Sequence, residues 1–207
     1  MDVEHHRSVS QVYEEGRRYF MGQGELNNTL VQLSNDLKEH QIDYAVIGAV
    51  ALLAYGYPRF TEDIDLIMTA EGLNKFHDEL VGLGYSPSFV GARKRLRSSN
   101  GVSIEVMTTG EYPGDGKPKP VSIPEPGESQ TEIDGIQFVT FEKLIELKLA
   151  SGISAPDRLK DLADVQELIK IRKLDAGFAS KLDPYVRDKF LELRQAIINR
   201  DSVQEKE

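Results

Sequence analysis

The segment RFTEDIDLI, residues 59–67, sets Asp63 and Asp65 two positions apart in a run that ends apolar. An extended backbone turns alternate side chains to one face. The two carboxylates therefore stand side by side, roughly 7 Å apart at Cα, while Ile64 and Leu66 take the buried face. Neighbouring ionised carboxylates repel unless one takes a proton or a cation sits between them. Within the segment only Arg59, at the same parity, carries an opposing charge. A hard divalent cation such as magnesium resolves the repulsion most simply. Glu105 would supply a third oxygen ligand from another extended stretch. The plainer alternative is a solvated sheet face, where an acid-x-acid pair is common.

Two other acid-based sites fit less well. A haloacid-dehalogenase-type pair follows a hydrophobic run and has a threonine two places after the second acid. Here Phe60-Thr61-Glu62 precede the pair, and Ile67 stands at the threonine position. A calcium loop would need glycine and further ligands at fixed steps, and these are missing. The four histidines give no metal pattern: His5 and His6 are adjacent, and His40 and His77 stand alone.

The elements that must hold these residues can be read from periodicity. Leu26, Leu30, Leu33 and Leu37 recur at helical spacing, which predicts an amphipathic helix over 26–39. Residues 44–47 are a short strand entering a helix through Gly48-Ala49, with Gly56 closing that helix and Pro58 stopping it. A helix N-terminus there offers free N–H groups suited to phosphate. A helix over 71–83 and an extended stretch over 85–90 follow. RKRLRSSNGVSIEVM, residues 93–107, reads as a hairpin. Placing Leu96 opposite Ile104 buries both and needs a three-residue loop, Ser99 to Gly101, with Gly101 left-handed. A two-residue turn would instead bury Arg93, Arg95 and Arg97, at greater cost. The three arginines thus share the face of Glu105, either beside an acceptor or simply as a basic edge that discourages aggregation.

Residues 111–130 hold five of the nine prolines and read as a surface loop. One extended segment over 133–139 precedes helices expected at 140–150, 154–170 and 184–199. Ser154 and Asp157 suggest a capping box, and Asp183-Pro184 an N-cap with proline at the first helical position. Lys148 falls inside the apolar arc of Phe141, Leu144, Ile145 and Leu149. It either snorkels to solvent or meets an anion such as a triphosphate. In the next helix, Arg158 and Asp161 border the apolar arc, whereas Lys160 and Asp164 fall on the side expected to be exposed. The order of elements indicates an α+β fold with a helical C-terminal part.

Composition excludes several classes. With no cysteine among 207 residues, disulfides, thiolate metal sites and cysteine nucleophiles are ruled out. The net charge of −9 argues against coating long duplex nucleic acid, though not against a local basic pocket. No apolar run approaches the roughly 20 residues of a membrane span, and the polar start lacks a secretory signal, so a cytoplasmic protein is expected.

The run VIGAVALLAYGYPRFTEDIDLIM resembles the signature of the DNA polymerase β-like nucleotidyltransferase superfamily: strand, Gly-Gly or Gly-Ser, short helix, then Arg-x-Thr-x-Asp-x-Asp. SIEVM resembles the strand bearing that superfamily's third carboxylate. LIELKLASGISAPDRLKDLADV resembles a helical lysine and Arg-x-Lys-Asp segment of minimal members related to AbiEii-type toxins. The resemblance covers about residues 40–170. It implies a nucleotidyltransferase-like mixed β-sheet with helices packed on one face. With the polar start and the charged end of the sequence, the expected division is an N-terminal arm or short helix (1–24), a nucleotidyltransferase core (25–140), a C-terminal helical part (141–200) and a disordered tail (201–207). The resemblance also implies transfer of a nucleotide from an NTP, ATP among them, to an acceptor hydroxyl, with Mg2+ or Mn2+ as cofactor. By position, Asp63, Asp65 and Glu105 would bind metal, and Glu105 would act as or orient the base. Gly48, Ala49, Arg59, Thr61, Arg95 and Lys148 would bind nucleotide, and Asp161 would orient Lys148 or the acceptor. An RNA end such as tRNA, a protein or a small alcohol would serve as acceptor, and the toxin-like likeness adds a cognate antitoxin as partner. A catalytically inactive nucleotide-binding or protein-interaction module on the same fold is the alternative. Ala49 stands where the signature has Gly or Ser, so a hydroxyl is missing from the phosphate turn. Glu105 replaces the usual aspartate, which moves the carboxylate by about 1 Å, and misplacements of this size can cost about a hundredfold in rate.

Overall fold

The computed structural model describes residues 24–204 together with Gly16. The arm expected over 1–24 therefore lies, apart from Gly16 and Gly24, outside the described residues. Among the described residues the order is α1 (Glu25–Glu39), β1 (Tyr44–Ile47), α2 (Gly48–Ala54), β2 (Asp63–Met68), α3 (Ala70–Glu79), β3 (Tyr85–Pro87), β4 (Arg95–Ser98), β5 (Ser103–Thr108), β6 (Gln130–Ile133), β7 (Ile136–Val139), α4 (Phe141–Ser154), α5 (Leu159–Arg172) and α6 (Pro184–Gln204). The last helix continues into the segment expected as a disordered tail, of which 205–207 lie outside the described residues. No helix among the described residues is long and apolar enough to cross a membrane.

The strands form one mixed sheet in the order β3-β4-β5-β2-β1-β7-β6, with β2 at its centre. β2 runs parallel to β5 and antiparallel to β1. This register fixes which side chains share a face. Ile64, Leu66, Ile104, Val106, Leu96 and Val46 point to one side and are at most 1% exposed. α1 and α3 cover that side. α1 brings Leu33 and Leu37 into the core, and its Ser34 hydroxyl is bonded to that of Tyr44 on β1. α3 adds Phe76, whose ring meets Tyr85 edge-on with centroids 5.2 Å apart, inside the roughly 4.5–7 Å range of favourable aromatic pairs. The second side carries the acids.

The three-residue hairpin loop is confirmed. Leu96 pairs with Ile104, the Gly101 amide donates to the Ser98 carbonyl, and Gly101 has φ +88. Several boundaries differ from expectation. The helix expected over 71–83 ends at Glu79, because the chain then turns through Gly82 and Gly84, both at positive φ. The extended stretch after it is only Tyr85–Pro87. The single segment expected over 133–139 is a hairpin, β6 and β7, turned at Asp134 (φ +50) and Gly135 (φ +80). Consecutive left-handed residues of this kind are what a tight two-residue hairpin turn needs. The capping box expected at Ser154 is absent. α4 runs through Ser154, whose hydroxyl donates to the Ala150 carbonyl, and α5 starts at Leu159. The cap before α6 is present, with the Tyr185 amide donating to Asp183 Oδ1 at 2.9 Å.

A run of rings fixes the helical part to the sheet domain. Tyr55, at the end of α2, meets Phe141 of α4 at 5.0 Å; Phe141 meets Phe178 at 5.7 Å; Phe178 meets Phe190 of α6 at 5.5 Å. The Tyr55 hydroxyl donates to the Val139 carbonyl, and burial pushes that phenol up to about 12. α4 is thereby held against the second side of the sheet.

Candidate active site

A cleft of about 410 Å³ opens on the acidic side of the sheet. Asp63, Asp65 and Glu105 line it, together with Gly48, Ala49, Arg59, Thr61, Lys148 and Asp161. Arg95 is not in the lining but stands one strand further out. Strand register explains the grouping: Ile47, Asp65, Glu105 and Arg95 lie opposite one another across β1, β2, β5 and β4. The glutamate thus points to the same side of the sheet as the aspartates, one strand spacing from Asp65.

Gly48 follows Ile47 in that row and sits against Asp65. A Cβ at Gly48 (φ +71) would lie 2.8 Å from Asp65 Cγ and overlap the carboxylate oxygen. Only glycine fits, because both the left-handed backbone and the close approach exclude a side chain. Ala49 is buried at the first turn of α2.

The electrostatics of the strand pair are unbalanced. Asp65 is pushed up from the ordinary 3.8 to about 6, first by burial and then by the charges of Glu105 and Asp63; Lys148 and Arg59 pull the other way without offsetting this. Asp63 is also raised, by burial and by Glu62 and Glu105. Glu105 has turned its carboxylate toward Arg95, with Nε 3.4 Å from Oε1. Among the described residues, no three His, Asp or Glu side chains are gathered into a metal-binding group as they stand. The donor set nevertheless fits a hard cation: carboxylate oxygens, one of them buried and repelled by its neighbours.

The helical wall is different. Lys148 is buried at 7% exposure and has anionic partners within the chain: Asp164 Oδ2 at 2.7 Å and Asp161 Oδ1 at 3.0 Å. Asp164 Oδ2 also accepts from Arg59 Nη1 at 2.6 Å, and Ser151 donates to Asp161 Oδ2 at 2.7 Å. Burial pushes Asp161 upward, but Lys148 and Ser151 hold it below the usual carboxylate range. Asp164, expected on an exposed face, is instead 2% exposed and joins Arg59 to Lys148. The helical wheel of α5 alone misses it, because its polar side faces α4 rather than water. Lys160 is exposed, as expected.

Residues 111–129 are loop, as expected, apart from one short 3-10 turn at Pro126–Glu128, and Gln130 already begins β6; part of the segment also builds the cleft. Glu111, Tyr112, Pro113 and Gly114 line it beside Ile123. Proline content marks a loop in sequence and gives no sign of where the loop docks.

Comparison with protein-family models finds no match, and none of the curated proteins matches the chain. Solved structures do show likenesses. An antigenic nucleotidyltransferase-like protein from Paracoccidioides brasiliensis is 18% identical with a TM-score of 0.46, over 71% of this chain and 76% of that one. The antibiotic-resistance factor ANT(2'')-Ia is 17% identical with a TM-score of 0.49, over 86% of this chain and 94% of that one. A crystal structure of ANT(2'')-Ia in complex with adenylyl-2''-tobramycin gives 16% and 0.46, over 79% and 91%. Likenesses at these scores decide neither fold family nor activity.

Proposed function

We propose that this chain is a nucleotidyltransferase, moving a nucleotide from an NTP to an acceptor hydroxyl. One observation carries the reading: Asp63, Asp65 and Glu105 face a single cleft that they share with Lys148, Arg59 and the Gly48 turn. Acids alone would repel a polyphosphate; acids with a hard cation, beside fixed basic groups, are the equipment of phosphoryl transfer. Asp63 and Asp65 would hold magnesium or manganese, with Glu105 joining after leaving Arg95. The cation, when bound, supplies Lewis-acid polarisation of the phosphate oxygens. Glu105 accepts the proton of the incoming hydroxyl or orients it. The backbone N–H groups after Gly48 would receive the phosphates, and Arg59 and Lys148 place positive charge at the other wall.

A non-catalytic nucleotide-binding or interaction module is the second reading. It is favoured by two observations: Lys148 already has two carboxylate partners, and Glu105 is engaged by Arg95. Consumption of labelled NTP with magnesium separates the two. Asp63→Ala is expected to keep the fold and to lower turnover by more than the ~10- to 100-fold that loss of an outer-shell partner of a metal site costs. Equal consumption by variant and wild type would end the enzyme reading. Incubating wild type with labelled NTPs and cell extract then identifies the acceptor among RNA ends, proteins and small alcohols. It also tests the toxin-like role, because a cognate antitoxin added back should suppress the labelling.

A further inference from the structure

The cleft has two unlike halves. One holds the acids, Lys148 of α4 and Arg59. The other lies past Glu105, where Met107, two positions further along β5, and Ile123 and Tyr112 of the segment after that strand line the cleft; Tyr112 is, among the described residues, the only aromatic ring in the lining.

The segment bearing Tyr112 has no regular secondary structure, yet it is braced. At its neck the Gly110 amide donates to the Ile123 carbonyl at 2.9 Å, and the Ile123 amide to the Glu111 carbonyl at 2.7 Å. Val121 and Ile123 are at most 3% exposed. Gly114 (φ +75) packs so tightly on α4 that a Cβ would come 2.7 Å from the Ser151 carbonyl oxygen and closer still to Ser154 Oγ. Lys119, with a side chain only 6% exposed, donates to the Pro113 carbonyl at 2.6 Å and pairs with Asp115 at 2.6 Å. Its ammonium stands 5.9 Å from the Tyr112 ring centroid, within cation–π range. A buried lysine spent on holding a loop makes that loop a fixed wall.

We propose that this half is the base subsite. Resting on the nucleotidyltransferase reading, it takes the heterocyclic base of the nucleotide, stacked on Tyr112 above Met107 and Ile123, while the phosphates go to the charged half. A concave apolar surface with one aromatic ring suits a flat heterocycle, since every base offers a π face. Recognition by stacking is tolerant, so purine and pyrimidine triphosphates both bind, with purines favoured by area.

The test compares two ligands by calorimetry in the presence of magnesium: ATP, and inorganic tripolyphosphate, which has no base. Tyr112→Ala is expected to weaken ATP roughly 5- to 100-fold and leave tripolyphosphate within about twofold, the worth of one base–aromatic stack. Tyr112→Phe should retain both affinities. Should the alanine variant fail to fold, Tyr112→Leu keeps the bulk without the ring and should show the same selective loss. Unchanged ATP binding, or equal weakening of both ligands, overturns the subsite, as does a wild type that binds tripolyphosphate as tightly as ATP. A wild type that binds neither ligand removes the nucleotidyltransferase reading and the subsite with it.

Discussion

The cleft is bordered by two groups of acids that meet opposite fates. On β2 and β5, Asp63, Asp65 and Glu105 stand together without sufficient counter-charge, and Asp65 is driven up to about 6 by burial and by its neighbours. Across the cleft, Asp161 and Asp164 share Lys148, and Asp164 also holds Arg59. Asp161 is held low despite being largely buried. Burial alone therefore does not separate the groups; what does is whether the chain supplies the cations. The helical network is complete in itself and joins the loop before β2 to the C-terminal helices. The strand face is incomplete and calls for charge from outside.

Breaking the complete side should have the largest effect. Asp164→Ala removes the buried carboxylate that Lys148 and Arg59 share, leaving Asp161 to Lys148, and removal of one member of a buried pair costs about 3–5 kcal/mol. Urea unfolding should show a loss of this order. A loss below about 1 kcal/mol would mean that the network is solvated like a surface pair and that the contrast is false.

The incomplete side should respond with the opposite sign. Asp65 binds its proton more tightly in the folded chain than in the unfolded one, with 3.8 moving to about 6. Its contribution to stability is thus fully present below about pH 4 and is lost as pH rises through about 6. Asp65→Asn cannot ionise, so in the absence of divalent metal it should stabilise the protein at pH 7, by on the order of 3 kcal/mol, and do nothing comparable at pH 4. Thermal unfolding of both proteins at the two pH values checks this. A variant less stable than wild type at pH 7 would show that Asp65 is already neutralised within the chain.

The two sides also differed in how far they could be read in advance. Parity along β2 and the hairpin register set by Leu96 and Ile104 give the face that Asp63, Asp65 and Glu105 take, because a strand's alternation is rigid and one residue's slip reverses a whole face; that β5 lies beside β2 is a matter of sheet order, which neither pattern encodes. Asp164 is not legible in this way, because a helix exposes a side only with respect to its neighbours. The apolar arc of α5 marks one buried side, and Lys148 on α4 makes the acidic side buried too. Asp134-Gly135 is a recognised hairpin pair, but the flanking strands β6 and β7 are four residues each and read as one stretch. The docking of residues 111–123 on α4 depends on Gly114 meeting Ser151 and Ser154, a contact some forty positions away that no local pattern encodes.

The smallest effect should come from the border between the strand acids and the basic edge. Arg95 and Glu105 are 3.4 Å apart and both well exposed, so breaking the pair with Arg95→Gln should change stability by less than ~1 kcal/mol. Its consequence for the strand face is more informative than its cost. If Glu105 is the third ligand, Arg95 competes with the metal for it, and the variant should bind magnesium up to about fivefold tighter, the equivalent of an exposed pair. Glu105→Gln should then lose that gain when combined with Arg95→Gln. Magnesium affinity that ignores both substitutions would leave Asp63 and Asp65 as the whole of the metal site, and would return Glu105 to the ordinary role of a charged residue on a strand.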